Sequence, residues 1–485
     1  MAKQKNFHLI LAVIATGLLS FSGVLIETAM NVTFPTLIHE FGVTTAAVQW
    51  VTTICLLAIS VIVPLSSYLN RNFSIRTLFV CANLFFLAGM LVNYVLPSFA
   101  LLLLGRLLQG VGTGIALPLM FHIILTKAPE SSRGMMMGIG TLTTAIAPAI
   151  GPTYGGVLSH YFTWRDIFLF LIPLIVLSLF LGLRSIPKEQ KAVREPISLG
   201  SAVFLAATFT CILMALSASQ MITAALFFTG SIVTGGLFLH FNRQKPLLHL
   251  SVLKNRRFTA MMVCFLIYQA LLLGNSFVFP NYLQIVTGLD SSAAGMFMFP
   301  GAMAGALLAP ISGRILDKSG AKKPIIIGLS IACVGVLLLM ALLRTNVVLL
   351  LIASHLVFMV GLGLSYSNLM ATSLSALRTE ELSDGNAIIN TLQQFVGSVA
   401  TVVAAAVLSS FQHRYEFALG TSYGSVLLLG CFFLLLVASL ICALIVFSEN
   451  TMMEGNKLFA FLRRICCRNP AERRNVSDCN HERPL

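Results

Sequence analysis

Phe99-Ala100-Leu101-Leu102-Leu103-Leu104-Gly105-Arg106-Leu107-Leu108-Gln109-Gly110-Val111-Gly112-Thr113-Gly114 opens an apolar run that continues to Thr126 and holds one charged residue, Arg106. About 20 apolar residues make one bilayer crossing, so the run reads as a transmembrane helix. A guanidinium in hydrocarbon costs at least about 2.5–3.5 kcal/mol, so Arg106 needs a partner and a cavity. The glycines beside it remove side-chain bulk and let a neighbouring helix come close. An arginine that only ties helices together would leave the same pattern.

The rest of the chain repeats this reading. Of 485 residues, 57% are hydrophobic and 10% charged, against about 25% charged in soluble domains. The mean hydropathy is +0.91. No water-soluble core hides that much apolar surface, so lipid is the solvent for most of the chain. Apolar runs between polar breaks predict helices at 7–35, 46–68, 77–97, 99–126, 134–158, 164–185, 197–217, 221–241, 258–282, 289–313, 323–343, 346–371, 385–410 and 423–447. That makes fourteen, with the short Ser219-Gln220 break as the least marked boundary.

Charge tests the count. With the N-terminus in the cytoplasm, 27 of the 31 Lys and Arg fall on the cytoplasmic side, and only Arg165, Arg344 and Arg414 fall outside. A miscounted helix would scramble this alternation. The expectation is an all-α membrane protein with both termini cytoplasmic, lodged in the cytoplasmic (inner) membrane. The net charge of +14 then reads as an orientation signal and a contact with anionic lipid headgroups, not as a nucleic-acid surface.

The predicted organisation is an N-terminal six-helix bundle (1–187), a linker with two additional helices (188–250), a C-terminal six-helix bundle (251–450) and a basic cytoplasmic tail (451–485). The stretch from Asn242 to Arg257 mixes leucines with Lys254, Arg256 and Arg257, so part of it is expected to lie as an interfacial amphipathic helix. Two similar halves around a midplane site is a general plan of transporters. The ten cysteines show no ligand spacing, so free thiols are expected and no metal site. No Ser/His/Asp set or phosphate-binding loop of the Gly-x-x-x-x-Gly-Lys-[Ser/Thr] form is present, so neither an enzyme nor a bound cofactor is expected.

Two further motifs stand out. The fifth helix carries Gly138 and then Ala147-Pro148-Ala149-Ile150-Gly151-Pro152-Thr153-Tyr154-Gly155-Gly156. Proline bends a helix and glycine gives a smooth face, so this helix is expected to slide against its partner. Between the tenth and eleventh helices stands Gly313-Arg314-Ile315-Leu316-Asp317-Lys318-Ser319-Gly320, read as a tight turn. Asp317 there is suited to accept bonds at the start of the next helix, as a latch. On the residues alone, a solvated positive turn accounts best for this stretch.

Of the 17 acids, only Glu27 lies well inside a predicted helix. It sits roughly 30 Å from the cytoplasmic start of helix one, and Arg106 roughly 10 Å below the external start of helix four. The two share the outer half of the membrane. Burial favours the neutral form of an acid and a nearby cation the charged form, a balance that suits a proton site. Polar residues expected to line the cavity or bond a neighbouring helix are Asn31, Gln109, Tyr268, Gln269, Asn275, Asn390, Gln393 and Gln394. With one acid and one arginine inside, the cavity favours neutral or cationic amphiphiles.

Together these motifs resemble the major facilitator superfamily, and within it the fourteen-helix drug:proton antiporters. Gly313, Asp317, Lys318 and Gly320 match the superfamily loop motif; Arg106, Gln109 and Gly110 match the fourth-helix motif. Gly138, Gly151, Pro152, Gly155 and Gly156 match the antiporter motif, with Ala147 where glycine is usual. Glu27-Thr28-Ala29-Met30-Asn31 is most similar to the lincomycin-resistance branch. The loop from Ser67 to Arg76 departs from the pattern, lacking the Gly and Asp. The resemblance implies the two-bundle fold, multidrug efflux driven by the proton gradient without a cofactor, and a monomer whose partners are amphiphilic small molecules, protons and lipid. Export of a specific lipid or metabolite, or nutrient import, shares the fold and stays open.

Overall fold

The computed structural model describes residues 8–96, 98–129, 147, 150–187, 199–218, 220–345 and 347–466. Among these, the regular elements are all helices. In chain order they are α1 (Leu9–Val32), α2 (Phe34–Phe41), α3 (Thr45–Val48), α4 (Trp50–Asn72), α5 (Ile75–Val95) and α6 (Phe99–Lys127). Then come α7 (150–161), α8 (Asp166–Leu169), α9 (Ile172–Ser185), α10 (Leu199–Ser217) and α11 (Met221–Gln244). The last six are α12 (Arg256–Ile285), α13 (Ser291–Ser319), α14 (Lys322–Leu342), α15 (Val348–Leu374), α16 (Leu382–Arg414) and α17 (Phe417–Cys466). Among the described residues 13 helices are long and apolar enough to cross a membrane. The fifth expected crossing, 134–158, lies largely outside the described residues, with only its second half present in α7.

Local chemistry explains the ends. Thr33 closes α1, and Pro35 then sits in the first turn of α2, where its missing N–H costs nothing. Ser74, Asp290 and Asn255 cap α5, α13 and α12 by accepting bonds from backbone N–H groups of the first turn. Glu40 accepts bonds from Trp164 Nε1 at 2.6 Å and Arg165 Nη2 at 2.9 Å, tying α2 to the loop before α8.

Three expectations need correction. Gly313, Asp317 and Lys318 are not in a turn, because α13 continues as helix to Ser319. The reversal is confined to Gly320, whose φ of +77° favours glycine. The segment 242–257 does not lie as an amphipathic helix. A short 3-10 turn, Leu250–Lys254, folds back with Val252 buried, and Asn242 Oδ1 accepts from the backbone N–H groups of Leu247 and Leu248. Finally, α17 does not stop near residue 447 but runs 50 residues to Cys466. Hydropathy ends where lipid ends, whereas a helix without proline continues until a backbone signal stops it.

Two apolar cores organise the molecule. One is built from α1 to α9, the other from α10 to α17. Phe277 and Val278 of α12, Ala404, Ala405 and Leu408 of α16, and Leu428 of α17 join the first core, so these three helices carry the junction. The pair α10–α11 packs by α10 against both α4 and α16, with Phe209 stacked on Phe395 at 4.0 Å. Helix α11 turns Ile222, Leu226 and Ile232 outward, as a lipid-facing helix does.

Candidate transport site

The site begins with how closely α6 is held. Gly110 and Gly114 face α4, where a Cβ would come within 2.6 Å of the Cys55 carbonyl and 2.9 Å of Ile62. Gly112 faces α5, 2.6 Å from the Ala82 carbonyl. Only hydrogen fits there. Clamped between two neighbours, α6 presents Arg106, Gln109 and Thr113 along one stripe at helical spacing. Thr113 meets Gly23 of α1.

Arg106 is fully buried. Its Nε donates to the Val51 carbonyl at 2.9 Å and its Nη1 to Gln109 Oε1 at 2.7 Å. Arg106 Nη2 and Gln109 Nε2 have no hydrogen-bond partner among the described residues. Glu27 is 4% exposed on α1, near enough for the arginine's charge to act on it. Among the described residues no ion pair joins the two. The arginine is held by neutral acceptors, and the carboxyl is left unclamped beside it, with the Cys55 thiol close to both.

One turn beyond Glu27, Asn31 bridges the two cores. Its Nδ2 donates to Ser276 Oγ of α12 at 3.0 Å, and its Oδ1 accepts from Thr52 of α4 at 2.8 Å. Gln284 Nε2 donates to the Val32 carbonyl at 2.8 Å, and Thr45 Oγ1 to Gln412 Oε1 at 2.7 Å. Between α7 and α13, Thr153 Oγ1 donates to the Gly295 carbonyl and Ser291 Oγ to the Gly156 carbonyl, each at 3.3 Å. These hydrogen bonds between the two groups lie at the end that the charge pattern assigns to the outside. That end is closed.

Helix α7 is the wedge of this closure. A Cβ on Gly151 would strike Thr28, and one on Gly155 the backbone of Ala29, both on α1. On Gly156 it would strike the Ser291 carbonyl, while Gly295 of α13 abuts the Pro152 carbonyl. The motif glycines therefore serve two partners, one in each group. Gly138 lies outside the described residues.

The second group holds an uncharged polar cluster. Tyr366 donates to Gln269 Oε1 at 2.5 Å; Gln393 Nε2 donates to Tyr366 at 2.9 Å and to Gln269 Oε1 at 3.4 Å. Tyr268 accepts from Ser365 at 2.8 Å. Asn275 is buried with neither amide atom bonded to a described residue. Asn390 bonds within its own helix, to Asn386, and Gln394 is half-buried. So Glu27, Asn31, Arg106 and Gln109 form one constellation, while Tyr268, Gln269 and Gln393 belong to another. Gly313 has open space around it and Lys318 is exposed; the side chain of Asp317 lies outside the described residues. Val51, Thr52, Ser276 and Tyr366 were missed, since a carbonyl, two small hydroxyls and one tyrosine carry no signal in an apolar run.

The sequence profile described as Major Facilitator Superfamily matches residues 16–401. The chain belongs to that superfamily. Among its relatives, the lincomycin resistance protein LmrB of Listeria monocytogenes is 33% identical over 411 residues, covering 83% of this chain and 87% of that protein. The multidrug resistance protein B homolog of Mycobacterium tuberculosis is 26% identical over 400 residues, covering 80% and 74%. The fold is shared with a crystal structure of the peptide transporter POT in complex with sulfate: TM-score 0.65 at 14% identity, over 91% of this chain and 94% of that one. As a major facilitator protein this chain is a multi-pass membrane transporter, not an enzyme.

Proposed function

We propose that this transporter is a proton-coupled antiporter that exports neutral or cationic amphiphilic, drug-like compounds across the cytoplasmic membrane. The observation that carries the reading is Glu27, buried in α1 beside the charge of Arg106 without being locked to it. A carboxyl in that setting exchanges its proton when its surroundings change. The resistance proteins among the relatives support the substrate class.

The cycle follows from the two cores. With the outer end closed, compound enters from the cytoplasm and Glu27 gives up its proton. The loaded bundles rock, and compound leaves outward while a proton from outside returns to Glu27. Arg106 tunes the exchange by favouring the carboxylate. The antiporter motif, Gly138, Gly151, Pro152, Gly155 and Gly156, forms the sliding contact, and Gly313, Asp317, Lys318 and Gly320 form the cytoplasmic gate. The working unit is a monomer of fourteen crossings with both ends inside, its bundles at 1–187 and 251–450. The energy source is the proton gradient, with no cofactor.

The test is uptake of labelled drugs and metabolites by inverted membrane vesicles, with and without a proton gradient. Gradient-dependent uptake of amphiphiles is expected. Gradient-independent uptake, or uptake restricted to one metabolite, would contradict the proposal.

A further inference from the structure

The two cores divide the chemistry of the interior unevenly. The first holds Glu27 and Arg106, both ionisable. In the second, α12 from Phe258 to Ile285, α15 throughout, and α16 from Gly385 to His413 contain no Asp, Glu, Lys or Arg. What α12, α15 and α16 offer instead is the joined set of Gln269, Tyr366 and Gln393.

That set reaches across space rather than along a packed seam. Helices α15 and α16 barely touch, yet Tyr366 of α15 bonds to Gln393 of α16 at 2.9 Å. The internal bonds use up Gln269 Oε1, the Tyr366 hydroxyl and Gln393 Nε2. Gln269 Nε2 and Gln393 Oε1 take no bond from a described residue and are not among the solvent-shielded polar atoms. They keep some solvent contact, one as a donor and one as an acceptor. Gly397, one turn beyond Gln393, brings α16 close to α12: a Cβ there would strike the Leu273 side chain. An aromatic floor completes the arrangement, with Phe265 stacked on Tyr366 at 4.5 Å and Tyr268 edge-on to it.

We infer that Gln269, Tyr366 and Gln393 form a neutral recognition subsite for the uncharged amide- and hydroxyl-bearing part of a substrate, separate from the acid that attracts cations. An adjacent donor and acceptor match a secondary amide or neighbouring hydroxyls, and the half-buried Tyr366 ring, backed by Phe265, offers an edge to an attached apolar plane. Specificity of this kind is built by hydrogen bonds, because a site that must pair its polar groups rejects a ligand that leaves them bare. The inference rests on the export reading above.

The experiment uses the full-length protein in proteoliposomes with an imposed pH gradient and two probes. Chloramphenicol is uncharged, with an amide and two hydroxyls; tetraphenylphosphonium is a permanent cation with no hydrogen-bonding group. The variants are Tyr366→Phe, which keeps the ring stack, and Gln393→Leu. Each is expected to raise KM for chloramphenicol by about 10-fold with kcat little changed. Tetraphenylphosphonium transport should stay at the wild-type level, which also shows that the variants fold. Equal losses for both probes, or no change for either, would overturn the subsite. So would wild-type protein that carries tetraphenylphosphonium but not chloramphenicol. Wild-type protein that carries neither probe under the gradient would instead count against the export reading itself.

Discussion

Asn31 Nδ2 lies 3.0 Å from Ser276 Oγ, so a side chain one helical turn from Glu27 holds α12 of the other core. The buried acid and the residue that bridges to α12 sit on the same helix, α1. On the mechanism proposed above, opening that re-hydrates Glu27 is expected to strain this bond as well.

Removing the bond should loosen the closed end. A buried neutral hydrogen bond contributes about 0.5–1.5 kcal/mol, so Ser276→Ala should shift the closed-to-open ratio by roughly 2- to 10-fold. A membrane-impermeant thiol reagent, applied outside to a cysteine at Phe277 in a cysteine-free background, reads this shift. Faster labelling is expected in Ser276→Ala. An unchanged rate would mean that the bond plays no part in closure.

The glycines of α7 and α13 should differ in tolerance. At Gly155 a Cβ meets the backbone of Ala29, which has no rotamer to move away, whereas at Gly313 nothing lies within 4 Å. Gly155→Ala should therefore abolish gradient-driven export while the protein still inserts, and Gly313→Ala should export nearly as well as wild type. Drug accumulation in intact cells, normalised to the amount of protein in the membrane, checks both. Loss of function in Gly313→Ala would show that the glycine serves the gate through something other than space.

Asn255, at the end that the charge pattern assigns to the cytoplasm, is expected to contribute to stability. It caps α12 through bonds from the Arg257 and Phe258 N–H groups at 3.1 Å and donates to the Ala376 carbonyl at 2.7 Å. Asn255→Ala should cost about 1–2 kcal/mol. Thermal unfolding of the purified protein in detergent should show a lower Tm, with substrate preference unchanged. An unaltered Tm would mean that water replaces the cap.

Much of this was legible in the sequence, for reasons that differ residue by residue. Crossing segments are read from a one-dimensional quantity, the length of apolar chain, and so α4 to α6 fall close to the expected spans. Glu27 and Arg106 stood out because a charge in hydrocarbon is costly and rare. The turn after α13 was misplaced because Gly313 resembles a turn glycine in sequence, while only Gly320 has the backbone that needs one. The partners of the site were invisible: Ser276 lies 245 residues from Asn31, and nothing local marks a serine that ends beside it. Tyr366 and Gln393 join Gln269 only once three helices have packed.

The central claim is that Glu27 carries the proton, and proton release from purified protein tests it most directly. Substrate is added in weakly buffered detergent solution, and the pH change is recorded for wild type and Glu27→Gln, with binding followed in parallel by fluorescence. Glu27→Gln mimics the protonated acid, so it should bind substrate and release no protons, whereas wild type releases about one per substrate bound. Undiminished release from Glu27→Gln would move coupling to another group and contradict the mechanism.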